Sequence, residues 1–350
     1  MISLLRAIAA GTAGGALCYV LRIPAPWLAG SLVATIIAIY SNQKLELPDP
    51  LRTLTFILLG VQTGTTVNAD TLERVARWPL SIFFFGVTVV LIVWGCTSYY
   101  VRIRNWDRPT ALFASLPGAL SLVILLAGSA GADMRRVTIA QCVRLFFLIA
   151  ALPAVIEFIS PATGAAISTV TISNISEILV LIAASAAAGL FFAWLKIPAG
   201  LILGAALASA ALGLGGIVHG AAPNSILIPA NIILGVMIGL RFKGISLPEL
   251  RAAFSDGFAG FVIAMIIAMA GAVVTSTVAD LPLALTLLAF SPGGLEAMTI
   301  MAFALNLDPA YVAAHQIARY IGLVLLMPAV TGFVLHRSVA LNQDVDVEKD

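Results

Sequence analysis

The chain contains the same unit twice. Residues 117–155 align without a gap on residues 292–330, at an offset of 175, and 12 of the 39 pairs are identical. An apolar composition produces chance matches of Leu and Ala, but not the matches of Asp133 with Asp308, Gln141 with Gln316 and Arg144 with Arg319. Pro117-Gly118 returns as Pro292-Gly293, and Pro153-Ala154-Val155 as Pro328-Ala329-Val330. Upstream, Gly15 pairs with Gly189, Ile23-Pro24-Ala25 with Ile197-Pro198-Ala199, and Leu59-Gly60-Val61 with Leu234-Gly235-Val236. A duplication restricts the fold to two similar halves. In an apolar chain it marks transporters, whose sites lie where the halves meet.

Of the 350 residues, 61% are hydrophobic and only 10% charged, against about 25% charged in a soluble domain. The polar residues needed to cover a soluble surface are missing. Runs such as Trp78 to Val101 and Phe258 to Val278 have about the 20 residues that span a bilayer. The fold class is therefore an all-α polytopic membrane protein. A net charge of +2 without a basic stripe argues against nucleic acid as a partner. Cys18, Cys96 and Cys142 lie in apolar segments and read as small core residues, not as disulfides or metal ligands. No metal or cofactor is expected. The first apolar segment has the look of a signal peptide, but its counterpart at Ile178 to Leu195 lies mid-chain, so both read as structural.

Each copy holds six apolar stretches: 3–21, 27–41, 51–67, 78–101, 110–130 and 134–158, then 177–195, 198–214, 225–241, 257–278, 281–305 and 309–335. This divides the chain into repeat 1 (1–160), a connector (161–176), repeat 2 (177–337) and a polar, disordered tail (338–350). Basic residues in short loops mark the cytoplasmic side. Arg102, Arg104 and Arg108 precede the fifth stretch of copy one, where copy two has only Asp280. Arg241, Lys243 and Arg251 precede the fourth stretch of copy two, where copy one offsets Arg74 and Arg77 with Asp70 and Glu73. Corresponding loops thus face opposite sides, and the copies are inverted.

Inversion needs an odd number of crossings per copy. The fifth stretch is the one that fails to cross normally. Its middle reads Ser-Leu-Pro-Gly in copy one and Ser-Pro-Gly-Gly in copy two. Proline removes a donor and glycine permits a reversed backbone, so a re-entrant hairpin or a broken helix is expected. Five transmembrane helices plus one such element per copy place both termini in the cytoplasm of a multi-pass protein of the bacterial inner membrane.

Irregular backbone at membrane depth is tolerated only against protein or a water-lined cavity. This makes Pro117, Gly118, Ser121, Pro292, Gly293 and Gly294 candidates for a substrate site, with half-helix dipoles to hold charge. Gln141 with Arg144 and Gln316 with Arg319 share a helical face in each sixth stretch. A pair of such faces suits a carboxylate or phosphate; alternatively the arginines tie down the carbonyls of the break. Glu296 follows the second Pro-Gly-Gly and His315 stands four residues before Arg319. Glu296 is a candidate Na⁺ ligand, proton carrier or arginine partner, and His315 a proton carrier or a structural histidine.

The Leu-Gly-Val-x-x-Gly element, the duplication and Ser-Pro-Gly-Gly-Leu-Glu-Ala-Met at 291–298 resemble the AbrB-duplication membrane proteins. These bacterial proteins are labelled AbrB-family regulators or ammonia monooxygenases. The resemblance covers the chain to about residue 337, although copy one reads Leu-Pro-Gly-Ala-Leu-Ser at the matching place. The family is similar in plan to the cation/proton antiporters and bile-acid symporters, which implies a transporter with inverted repeats. Neither label follows from the residues. Three scattered histidines do not supply an oxygenase metal site, and no basic soluble module is present to bind DNA. The expectation is a non-enzymatic secondary transporter of a small organic anion or amino acid, coupled to H⁺ or Na⁺, with an elevator or rocking motion. The second reading is a membrane regulator or sensor without net transport. The expected partners are the lipid bilayer, a small-molecule substrate and the coupling ion, with assembly as a homodimer left open.

Overall fold

The computed structural model describes residues 2–23, 25–65, 67, 78–118, 123, 127–128, 130–159, 174–197, 200–218, 223–305, 307–323 and 325. Ser121, residues 161–173 of the connector and the tail lie outside these residues. So does the side chain of Glu296.

Among the described residues the regular structure is all helical, without strands. Copy one forms α1 (Ile2–Val20), α2 (Pro26–Tyr40), α3 (Asp49–Gly64), α4 (Trp78–Arg102), α5 (Arg108–Ser115) and α6 (Met134–Ile159). Copy two forms α7 (Ile175–Trp194), α8 (Gly200–Leu214), α9 (Asn224–Gly239), α10 (Leu247–Ala279), α11 (Leu283–Phe290), α12 (Leu295–Ala304) and α13 (309–323). Six of the helices are long and apolar enough to cross a membrane. The chain is an all-α polytopic membrane protein.

The helices form two groups, and each group draws on both copies. In the first, α3 packs on α8 and α7, while α9 packs on α2 and α1. The crossings match because both use glycines four residues apart, which let two backbones approach closely. A Cβ on Gly60 would stand 2.5 Å from the Ile202 carbonyl, and one on Gly64 2.2 Å from that of Ala206. In the other copy, a Cβ on Gly235 would stand 2.6 Å from the Leu28 carbonyl, and Gly239 abuts Thr35. Residue numbers rise together on both sides of each crossing, so α3 runs parallel to α8 and α9 parallel to α2.

In the second group α4 packs on α10 with the opposite sense. Thr88 meets Gly271, Gly95 meets Ile263 and Ile267, and Tyr100 meets Gly260. These corresponding helices are antiparallel. Parallel cross-copy contacts between non-equivalent helices and antiparallel contacts between equivalent ones are the geometry of two inverted units. At one end of the pair, Tyr100 Oη donates to the Asp256 carbonyl at 3.3 Å and Arg104 Nε lies 2.5 Å from Asp256 Oδ1. Arg135 reaches Glu249 at 2.6 Å beside them. The basic loops of both copies therefore gather at one end of the molecule.

α10 begins ten residues before the expected 257. Ser246 and Glu249 close a capping box, with Pro248 in the first turn, so the helix extends about 15 Å beyond its apolar run.

Candidate functional site

The site is built from two interrupted segments. In copy one, Asp107 caps α5 by accepting from the Thr110 amide at 3.3 Å. The helix stops after Ser115 because Pro117 forces Leu116 into an extended conformation, φ −64° and ψ 123°. Pro292 does the same to Ser291, φ −61° and ψ 138°, after α11. Gly118 then takes φ +77°, which a side chain would disfavour.

Both segments leave by the end through which they entered. The Asp133 amide, just before α6, donates to Thr110 Oγ1 in the first turn of α5 at 2.8 Å. In copy two, α11 begins just after the end of α10, which lies beside Trp78 because α4 and α10 are antiparallel. Tyr311 of α13 stacks edge-on against that Trp78, with ring centroids 6.0 Å apart. Both segments are re-entrant hairpins, entering from opposite ends of the bundle. Asp133 and Asp308 cap the helices that follow, accepting amide hydrogen bonds at 2.9–3.2 Å.

The hairpin tips meet. A Cβ on Gly118 would lie 3.3 Å from the Gly293 carbonyl and 2.7 Å from Nη2 of Arg319. Arg319 thus touches the tip of the other copy while bonding its own. Its guanidinium donates to the Ser291 carbonyl at 3.3 Å and to that of Gly293, and Gln316 Nε2 donates to Ala289 at 3.0 Å. Copy one repeats the pattern. Arg144 Nη2 donates to the Leu116 carbonyl at 2.9 Å and to Gln141 Oε1 at 2.5 Å, and Gln141 Nε2 donates to Phe113 and Leu116 at 3.1 and 2.9 Å. Each arginine is 6% exposed. Arg144 also reaches the Ala114 and Ser115 carbonyls at 3.5 Å, which the end of α5 leaves unsatisfied and whose dipoles favour a cation; the carbonyls that Arg319 meets follow the end of α11. The match is not complete, because a Cβ on Gly293 would meet Met298 and not Arg144.

α12 restarts the chain after Gly294, its first described turn closing with Met298 N to the Gly294 carbonyl at 3.0 Å. The amides of a helix start have no intrahelical acceptor and favour negative charge. α12 packs on α3. On α3, Gln62, 2% exposed, has neither amide atom hydrogen-bonded among the described residues. Gln62 lies on the side of α3 opposite to Gly60 and Gly64, which face α8. Gln316 Oε1 is unpartnered in the same sense. Buried amides without partners are uncommon and call for a polar guest.

His315 is fully buried on α13. Its Nδ1 lies 2.8 Å from the Tyr311 carbonyl and its Nε2 2.8 Å from Ser81 Oγ on α4. It therefore joins the two copies among the rings of Phe85, Phe290 and Tyr311. Of the predicted residues, the structure brings together Gly118, Gly293 and Arg319, with Gln316 on the same helix face, and sets Gln141 and Arg144 on the other tip. His315 is buried against Ser81 and Phe85 of α4 and Phe290 of α11. Ser81 carried no sequence signal, while the polarity of Gln62 inside an apolar helix was visible.

Opposed re-entrant hairpins inside a helical bundle define the class: a multi-pass membrane protein with a polar, irregular centre. The model of the transition state regulatory protein AbrB family matches residues 27–335, and the chain belongs to this family. It is 28% identical to the Escherichia coli K12 protein named "Putative regulator AbrB" over 322 residues, 89% of this chain and 91% of the relative. It is 27% identical to the Bacillus subtilis 168 protein named "Uncharacterized protein YhjN" over 350 residues, 92% and 90% of the two chains. No solved structure matches it.

Proposed function

We propose that this chain is a secondary transporter of a small organic anion or amino acid, coupled to H⁺ or Na⁺, and not an enzyme. The observation that carries the reading is the meeting of two hairpin tips, entered from opposite ends, at buried guanidinium and amide groups. Such a centre can be opened to either side by moving one group of helices past the other. The group containing both hairpins touches the α1–α3 and α7–α9 group along α3 with α12, along α2 with α6, and where Phe146 meets Phe242. A seam of this kind suits an elevator or rocking motion. The start of α12 supplies amides for an anionic group, with Gln62 and Gln316 as orienting partners. Arg144 and Arg319 keep the tips in place and lend positive potential. Glu296, at the second position of α12, is the candidate for ion coupling. The inner-membrane setting, with the basic end in the cytoplasm, is part of the same proposal.

The name of the Escherichia coli relative favours a second reading, a membrane regulator that binds the same ligands without moving them. A thermal-shift screen of the purified protein against organic acids, amino acids and polyamines, with and without Na⁺, tests the binding site common to both. A carboxylate ligand whose stabilisation is lost in Gly118→Ala supports the site. Stabilisation by none of these classes, or an unchanged shift in that variant, counts against it.

A further inference from the structure

We propose a binding site for a zwitterionic phospholipid headgroup, of the phosphoethanolamine type, at the basic end of the molecule. A cavity of about 450 Å³ opens where α1 and α3 begin and α9 ends, within the size range of small-ligand sites. Three membrane helices start or stop around it, which sets it at headgroup depth. Its floor is apolar: Leu4, Leu45, Leu47 and Leu240 line it and belong to one packed cluster beneath. Its rim carries both signs of charge. Arg52, Lys243 and Glu46 line it, with Lys243 Nζ 3.8 Å from Glu46 Oε1, Ser3 Oγ 3.5 Å from Glu46 Oε2 and Arg52 Nη1 3.4 Å from Asp49 Oδ1. Two cations and a hydroxyl suit a phosphate diester; the carboxylate suits an ammonium group a few bonds away. Ile2 and Leu5 on α1 stand 67% and 60% exposed beside the opening, where acyl chains would lie.

The charge is asymmetric in a molecule whose scaffold is otherwise duplicated. At the position of Arg52, copy two has Leu227, which is buried in an apolar cluster with Val61, Leu181 and Val218. The packing of the two copies is repeated and this pattern of charge is not, as expected of a site that serves one leaflet.

The test uses the full-length protein in detergent, with native mass spectrometry and melting temperature as readouts. Phosphatidylethanolamine should be retained and should raise the melting temperature more than phosphatidylglycerol. Arg52→Gln and Lys243→Gln should each weaken retention roughly fivefold. Glu46→Gln should erase the preference for phosphatidylethanolamine while leaving phosphatidylglycerol binding intact. Equal retention of both lipids by the wild-type protein would overturn the proposal, and so would undiminished retention in the Arg52→Gln, Lys243→Gln double variant. Full stabilisation by soluble phosphoethanolamine at matched concentration would overturn the lipid as the source. Should the double variant fail to fold, the comparison of the two lipids on the wild-type protein and on Glu46→Gln still decides.

Discussion

Replacing Gly235 by alanine tests the close crossing of α9 on α2. The added Cβ would lie 2.6 Å from the Leu28 carbonyl oxygen and 2.7 Å from Ser31 Cβ. Ordinary contact begins at 3.4 Å, so the helices must part by roughly 3.4 − 2.6 = 0.8 Å. The obstacle is backbone, which cannot swing aside as a flexible side chain does. Overpacking of this kind costs about 1–3 kcal/mol. Gly60→Ala, at the equivalent crossing with the Ile202 carbonyl 2.5 Å away, should cost a similar amount, and the two should add because the sites are separate. Gly86 is the control. A Cβ there meets nothing within 4 Å, so Gly86→Ala should be neutral or stabilise by about 0.5–1 kcal/mol through helix propensity. Melting of the purified variants, followed by intrinsic fluorescence, gives the order. If Gly235→Ala and Gly60→Ala melt with Gly86→Ala, the interlocked scaffold is wrong.

Other perturbations address the hairpins and the ends. Gly118→Ala should cost about 1–2 kcal/mol from its positive φ alone, with a further loss from contact with Arg319; adding Arg319→Gln should recover part of that second loss, and strict additivity would deny the contact. Arg319→Lys should impair ligand stabilisation, because an ammonium cannot serve two carbonyls in a fixed fork; full ligand response in that variant would remove the arginine from the site. Asp256→Asn should destabilise by about 1–2 kcal/mol, less than a fully buried pair because Arg104 is 40% exposed, and Arg104→Gln should add little on top. Single cysteines at Asn105 and Val278, in a background without the native cysteines, should be labelled from opposite sides of the membrane. Labelling from the same side would contradict the inversion.

Much of this plan was legible because duplication doubles every signal. A lone Pro-Gly in an apolar run is ambiguous, but Pro117-Gly118 and Pro292-Gly293 at one offset marked both interruptions, and loop charge marked the opposite sense of the copies. The targets of Arg144 and Arg319 were not legible in the same way. Backbone carbonyls carry no residue identity, so a clamp for an external anion and a tie on the chain's own hairpin read alike; the guanidiniums point at the hairpin. Gly60 and Gly64 stand four residues apart in the sequence, a spacing that does not name α8 as the partner. The bond between Ser81 and His315 spans 234 positions, which no local pattern encodes. The early start of α10 was present in the sequence as a Ser-Leu-Pro-Glu cap, but the apolar run beginning near 257 outweighed it.

The most direct test of the central claim is uptake by proteoliposomes of a ligand found by thermal shift, driven by an imposed H⁺ or Na⁺ gradient. A transporter should give accumulation above the equilibrium level in wild type, collapse when the gradient is dissipated, and loss in Gly118→Ala. Binding of the same ligand with no gradient-driven accumulation, in vesicles shown to hold folded protein, would contradict that claim and leave the regulator reading in its place.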